Sequence, residues 1–214
     1  MEALERSAAV RIGVRLEVLT VAWMVAEAAL AIGAGIAARS VLLTAFGFDS
    51  VIELLSGVTL LWRLTSEQKA TSSRGLERVE RQATWISAVL LALLCAYVLL
   101  LGAAGLIARL EPERSSLGVA VSAVAAVVMP ILAWRKRVAN RTIRSRALRA
   151  DSAETLTCAY MAAATLVGAA LNLVLGWWSA EYLAAFVLLI FLIREAKEAF
   201  ESAREHEAGH EAEA

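Results

Sequence analysis

The sequence predicts an all-α membrane protein with six transmembrane helices. Of its 214 residues, 59% are hydrophobic, and the mean hydropathy is +0.64. Apolar runs rich in Ala, Leu and Val alternate with short charged stretches, as expected of helices that cross about 30 Å of hydrocarbon. A transmembrane barrel would instead show alternating polarity over segments of about 10 residues. Helices satisfy their own backbone hydrogen bonds in lipid, so they fit these long runs.

The apolar runs divide the chain into six spans separated by short polar connections. The break at Arg39–Ser40 is tight, which makes a hairpin of the first two spans. A turn with sequence EPER at 111–114 separates the third span from the fourth, and GWW at 176–178 separates the fifth from the sixth. The predicted spans are 17–38, 42–63, 83–108, 116–134, 151–174 and 178–194.

The distribution of Lys and Arg predicts that both termini are cytoplasmic. Of the 21 basic residues, 18 lie in the N-terminal segment, the 63–82 and 135–149 loops and the region from 194 onward. The opposite side holds three. Positive charge accumulates on the cytoplasmic side of membrane proteins, and an even number of spans agrees with this orientation. The localisation expected is therefore the cell membrane, as a multi-pass protein.

Three regions follow from this pattern. Residues 1–16 form a cytoplasmic segment, 17–195 the membrane domain, and 196–214 an acidic tail that is expected to be disordered. The tail carries His206 and His210 four residues apart, and their role stays open between weak metal capture and solvation. The net charge of zero gives no argument for a nucleic-acid partner.

Acidic residues inside the spans are the main functional signal. A charge near the bilayer centre costs several kcal/mol, so it usually marks a functional site. Glu27 lies near the middle of the first span, and Asp49 and Glu53 lie in the second. The four-residue spacing of Asp49 and Glu53 stacks them on one helical face. A protonated structural pair, and for Glu27 a hydrogen bond that packs helices, are the alternatives.

The start of the fifth span carries a second such stripe. Asp151, Glu154 and Cys158 fall three, four and seven residues apart, so they share one narrow face. No Lys or Arg lies within these acidic stretches, which predicts that the acids lack a salt-bridge partner. Asp151 and Glu154 also fit first-turn acids at a helix N-terminus. Cys95 has no acidic companions in its span and is expected to pack in the core.

Two facing stripes of this kind could surround one divalent cation. Carboxylate oxygens and a thiolate are suitable ligands for zinc and related metals. Without a cation, clustered acids in a low-dielectric site retain protons, because they cannot all be charged together. Exchange between the metal and those protons is the physical basis of metal/proton antiport.

Two sequence motifs resemble those of the cation diffusion facilitator family. Residues 46–57 (FGFDSVIELLSG) resemble the second-helix motif, in which two metal ligands stand four apart. Residues 149–160 (RADSAETLTCAY) resemble the fifth-helix motif, with Glu154 and Cys158 where the family usually has His and Asp. The resemblance covers about 15–195 and is closest to a short branch without the cytoplasmic C-terminal domain.

The resemblance implies a divalent metal efflux transporter that forms homodimers. Zinc is the expected transported metal, with protons as the counter-ion and no prosthetic group. Glycines such as Gly102 and Gly105 permit close helix approach at a dimer interface. The predicted metal-site residues are Asp49, Glu53, Asp151, Glu154, Cys158 and Glu27.

Other function classes fit the residues less well. A proton-coupled organic-cation exporter would use the acids against a substrate ammonium, but it has no need of Cys158. An intramembrane metalloprotease needs a His-Glu-x-x-His helix, whereas no His precedes position 206. A serine-type enzyme lacks its His as well. The sequence therefore predicts a transporter and not an enzyme.

Overall fold

In a computed structural model the chain forms six long helices joined by short connections. The structure describes the backbone of residues 2–68, 73–143 and 146–211, and side chains within these ranges except those of 2–10, 63–68, 73–81, 83, 146–147, 150 and 205–211. The six helices are α1 (Glu2–Ala38), α2 (Val41–Gln68), α3 (Ser73–Ile107), α4 (Ser116–Ile143), α5 (Arg146–Leu175) and α6 (Ser179–Glu211).

Five of these helices contain a stretch that is long and apolar enough to cross a membrane. The stretches are Arg11–Ala38, Val41–Trp62, Thr84–Ile107, Ser116–Ile143 and Asp151–Leu175. The apolar part of α6 is bounded by Glu181 on one side and by Arg194 and Glu195 on the other. It packs against α3 and α5 in the same bundle. The chain is thus an all-helical, multi-pass membrane protein, and the sixth crossing at 178–194 stays a prediction.

Because six helices alternate in direction, the start of α1 and the end of α6 lie at the same end of the bundle. We call this the inner end, after its predicted cytoplasmic position, and the opposite end the outer end.

Two outer connections are stabilised by the same helix-terminating hydrogen bond. Arg39 and Arg109 adopt φ values of 52° and 53°, and the next residue in each case donates its N–H back to Gly35 O or Gly105 O. This hydrogen bond closes the helix and turns the chain sharply.

The first two helices pack against each other at very short range. A Cβ atom on Gly35 would lie 2.5 Å from the backbone N of Thr44, and one on Gly47 would lie 2.7 Å from the backbone N of Ile32. Backbone atoms cannot move aside as the end of a flexible side chain can. The hairpin of α1 and α2, which carries Glu27 and Asp49, therefore depends on these two glycines.

We expect Gly35→Ala and Gly47→Ala each to lower the melting temperature of the purified protein markedly, because the added methyl group meets backbone. Gly33→Ala is the matched control, since nothing lies within 4 Å of its Cβ position. In that exposed helical position alanine should be neutral or stabilise by up to about 1 kcal/mol. Thermal unfolding followed by intrinsic fluorescence in detergent measures all three. Equal melting temperatures across the series would contradict the close crossing.

The two glycines expected at a dimer surface pack inside the single chain. Gly102 and Gly105 face α6, where Cβ atoms would meet Phe186 and Tyr182 of the same chain. They therefore do not supply a dimer surface, and the homodimer stays a prediction that native mass spectrometry in nanodiscs can test. Helix α6 also continues to Glu211, through the region where a disordered tail is predicted. Ala196 and Ala203 are buried on that extension. The side chains of His206 and His210 lie outside the described residues.

Candidate cation site

The acidic pair of α2 points into the bundle. Asp49 is fully buried and Glu53 is 8% exposed. Their four carboxylate oxygens are buried, and none accepts a hydrogen bond from the residues that the structure describes. A buried polar group without a partner is costly, and a buried charge is costlier still. Asp49 and Glu53 therefore require protons or a cation to neutralise them.

Glu27 brings α1 into the same region. Its side chain is completely buried. One oxygen accepts a hydrogen bond from Ser50 Oγ of α2 at 2.7 Å, and the other accepts from Trp23 Nε1 at 2.5 Å. Glu27 thus links α1 to α2 through the hydrogen bond from Ser50, as the helix-packing alternative predicts. Its position next to Asp49 and Glu53 also keeps it available as a ligand or a proton acceptor.

Cys158 brings α5 to the acids, as its position on the acidic stripe predicts. It is fully buried, and its Sγ lies 3.9 Å from Glu27 Oε1. The thiol also faces Glu53 closely enough to interact with it, although it lies outside the geometry of a formed hydrogen bond to that carboxylate. Three helices therefore place three carboxylates and one thiol around a common interior region.

Asp151 lies elsewhere, and the expectation that it lacks a basic partner is wrong. Its Oδ2 lies 2.7 Å from the Nζ of Lys136 on α4. The same ammonium lies 2.9 Å from Glu17 Oε2 on α1 and donates to Thr155 Oγ1 at 3.3 Å. In this conformation Asp151 belongs to a Glu17–Lys136–Asp151 triad at the inner end, which is defined here by those three residues.

The sequence contains a signal for Lys136 that the span assignment missed. The fourth predicted span ends at 134, which places Lys136 in a cytoplasmic loop, but α4 continues to Ile143. The buried face of α4 includes Ser122, Ala125, Met129 and Leu132 at alternating steps of three and four. Lys136 is the next member of that series. The helical periodicity therefore places it inside the bundle.

Glu154 has different surroundings from Asp151 and Cys158. Its side chain is exposed on the surface of the single chain, within electrostatic range of Asp151 and of Glu198 on α6. Glu195 of α6 is partly buried and lies within range of Asp49 and Glu154. Burial raises the pKa of Glu195, which lies beyond the predicted sixth span, well above its usual value. The span assignment gave no reason to include Glu195 with the acids.

The acidic side chains and Cys158 do not form a complete metal-coordination site in this conformation. Among the described side chains, no three His, Cys, Asp or Glu residues lie close enough together to hold a metal ion. Cation binding would therefore require the carboxylates of α2 and the thiol of α5 to converge from the positions seen here. Movements between α1, α2 and α5 would change these distances, because the acidic side chains and the thiol lie on three separate helices.

A hydrogen-bond network links several elements at the outer end. Glu181 of α6 is 2% exposed and accepts hydrogen bonds from Ser40 Oγ and from Asn172 Nδ2 at 2.7 Å. Asn172 Nδ2 also donates to the Pro112 carbonyl at 3.1 Å. The α1–α2 turn, the α3–α4 loop, α5 and α6 are thereby held together on the outer side of the buried acids.

The sequence profile of the cation efflux transmembrane domain matches residues 18–205. The chain belongs to the cation efflux family. The match runs from within α1 to within α6 and confirms the family resemblance seen in the two motifs. It supports a multi-pass cell-membrane protein with a role in cation efflux transport. A comparison with functionally curated proteins finds no match.

Proposed function

We propose that this cation efflux protein exchanges a divalent transition metal, zinc in the first place, for protons. The proposed site uses Asp49 and Glu53 of α2, Cys158 of α5 and Glu27 of α1. The observation that supports it most is the pair of buried carboxylates on α2 that accept no hydrogen bond from the described residues. Placing an ion in a low-dielectric interior costs several kcal/mol unless it is compensated.

A divalent cation and a set of protons are the two natural ways to neutralise this region. Asp49 and Glu53 together can carry two negative charges, which matches the charge of one divalent metal. A metal ligand must be deprotonated, so metal binding releases the protons that the acids hold otherwise. The metal-bound site and the protonated site then have a similar net charge. Either form can therefore be buried in the low-dielectric interior at an acceptable cost.

Cys158 favours a transition metal over an organic cation. Thiolate is a soft ligand that binds zinc and related metals, whereas an organic ammonium gains little from it. A quaternary ammonium is usually held by aromatic faces. The aromatic side chain closest to the acids along α1, Trp23, uses its ring N–H to bind Glu27. The organic-cation exporter is therefore the weaker alternative.

Asp151 and Glu154 have a secondary place in this proposal. Asp151 is compensated by Lys136 in the conformation seen, and Glu154 is exposed. Either could still join the site after a rearrangement of α5. We place them on the inner side of the site, where they would attract cations towards it.

Purified protein in proteoliposomes tests the exchange directly. With a zinc-sensitive dye and a pH dye inside the vesicles, we expect zinc movement to require an opposing pH gradient and to move protons the other way. A protonophore should abolish the gradient-driven part. Zinc movement that ignores the pH gradient would contradict antiport. If a hydrophobic organic cation is exchanged for protons and zinc is not, the organic-cation exporter would be the better interpretation.

A further inference from the structure

The Glu17–Lys136–Asp151 triad is almost entirely buried, which is unusual for three charged groups. Both Lys136 and Glu17 have side chains with no exposed surface, and the Asp151 side chain is 12% exposed. The ammonium bridges two carboxylates that come from different helices, α1 and α5. A pair of buried charges is weak evidence for stability, because apolar residues of similar volume often stabilise as well or better. The triad therefore calls for another explanation.

The triad lies directly on the inner side of the candidate site. On α2, Gly57 follows Glu53 by four residues on the same face, about 6 Å further in. A Cβ on Gly57 would lie 3.0 Å from Glu17 Oε1. The face of α2 that carries Asp49 and Glu53 thus contacts the carboxylate of Glu17 at Gly57. The absence of a side chain on Gly57 leaves space for that carboxylate.

The other two helices show the same order. On α5, Asp151 precedes Cys158 by seven residues, about 10 Å along the axis towards the inner end. On α1, Glu17 precedes Glu27 by ten residues, about 15 Å in the same direction. Every helix that contributes to the site therefore meets the triad on its inner side. A cation that moves between the inner end and Cys158 along these faces passes the Lys136 ammonium.

We propose that Glu17 and Asp151 form an inner cation station in the transport pathway, and that Lys136 is a tethered cation that occupies and closes it. A divalent cation from the inner side takes the two carboxylates as the ammonium withdraws, and the return of the ammonium closes the path behind it. This inference rests on the proposed transport function. It explains why a lysine is buried here with an excess of acids, and why Asp151 has a partner in the conformation seen.

The rate at which Cys158 reacts with a membrane-impermeant maleimide from the inner face measures this closure. All variants carry Cys95→Ala, so that Cys158 is the single thiol. With Lys136→Gln we expect labelling from the inner face to accelerate by about tenfold or more, since a broken buried pair is strongly destabilised. Lys136→Arg keeps the positive charge and should label slowly. Labelling needs no transported ion, so its result is independent of whether zinc is carried.

A variant at the other end separates closure from general loosening. Ser40→Ala removes the hydrogen bond to Glu181 and the one that Ser40 Oγ accepts from Leu43 N. Both lie at the outer end, so labelling from the inner face should stay unchanged. Acceleration of Lys136→Gln equally from both faces, in vesicles of opposite orientation, would show loosening and overturn the proposal. Labelling of Lys136→Gln at the parent rate would overturn it as well.

Two further variants keep the proposal testable if Lys136→Gln does not fold. Asp151→Asn leaves a one-to-one pair of Lys136 and Glu17 and should give an intermediate acceleration from the inner face. The exchange Lys136→Asp with Asp151→Lys restores the same charges in swapped positions and should return labelling to the slow rate. If Asp151→Asn labels at the parent rate, or if the exchange labels as fast as Asp151→Asn alone, Lys136 does not close the path.

Discussion

Asparagine in place of Asp49 is expected to abolish cation transport without harming the fold. The amide has nearly the same shape as the carboxylate, but it cannot carry the negative charge that a divalent cation needs. Substitutions in the outer shell of a metal site already cost on the order of 10–100-fold in affinity or activity. A direct ligand should cost at least about 100-fold. Zinc uptake by a dye in proteoliposomes measures the effect.

The stability of the same variant distinguishes a functional role from a structural one. Asp49 accepts no hydrogen bond from the described residues, so a neutral amide of similar shape breaks no contact that holds the fold together. The melting temperature should therefore stay equal or rise. A structural role predicts the reverse, with stability and transport falling together.

Glu53→Gln should behave in the same way, and Glu111→Gln provides the control. Glu111 is exposed in the connection between α3 and α4, so its charge can be removed without affecting the interior. Transport at the parent rate in either Asp49→Asn or Glu53→Gln would remove that residue from the site. A loss of transport in Glu111→Gln would show that the assay responds to surface charge.

The sequence predicts the membrane fold well because the bilayer imposes a simple length and polarity requirement. Apolar runs of about twenty residues are needed to cross it, and five of the predicted spans coincide with helices that meet this requirement. The helices nevertheless extend beyond the apolar runs. Lys136 is therefore assigned to a loop and Glu195 falls just outside the sixth predicted span, although both lie within helices that continue the bundle.

The candidate site could be predicted only along each helix, not between helices. Spacing within one helix correctly placed Asp49 and Glu53 on a shared inward face. Asp151, Glu154 and Cys158 of α5 have different surroundings, which depend on the side chains of the neighbouring helices. Asp151 meets Lys136, Cys158 meets Glu27, and Glu154 is exposed. A spacing rule gives all three the same face, because it contains no information on the neighbouring helices.

Bound zinc or cadmium is expected to protect Cys158 from alkylation. A thiol that coordinates a metal is a thiolate whose nucleophilic electron pair is already engaged. At a free metal concentration ten times the Kd, the fraction of free site falls about tenfold, and the rate of maleimide labelling should fall with it. Cys95 is partly buried and lies within electrostatic range of Asp49. It is therefore unsuitable as an internal control, and the experiment uses Cys95→Ala.

Protection alone does not prove coordination, because Cys158 is fully buried and a metal that closes the protein elsewhere would also slow labelling. Cadmium bound to a thiolate gives an ultraviolet charge-transfer absorption that closure cannot produce, and Cys158→Ser should lack it. Proton release on metal binding, measured by calorimetry in two buffers, should exceed zero at neutral pH, and affinity should weaken as pH falls. If zinc and cadmium bind without changing the labelling rate or the absorption, Cys158 is not a ligand. The remaining ligands would then all be oxygens, and a harder cation such as manganese would be the better candidate for the transported ion.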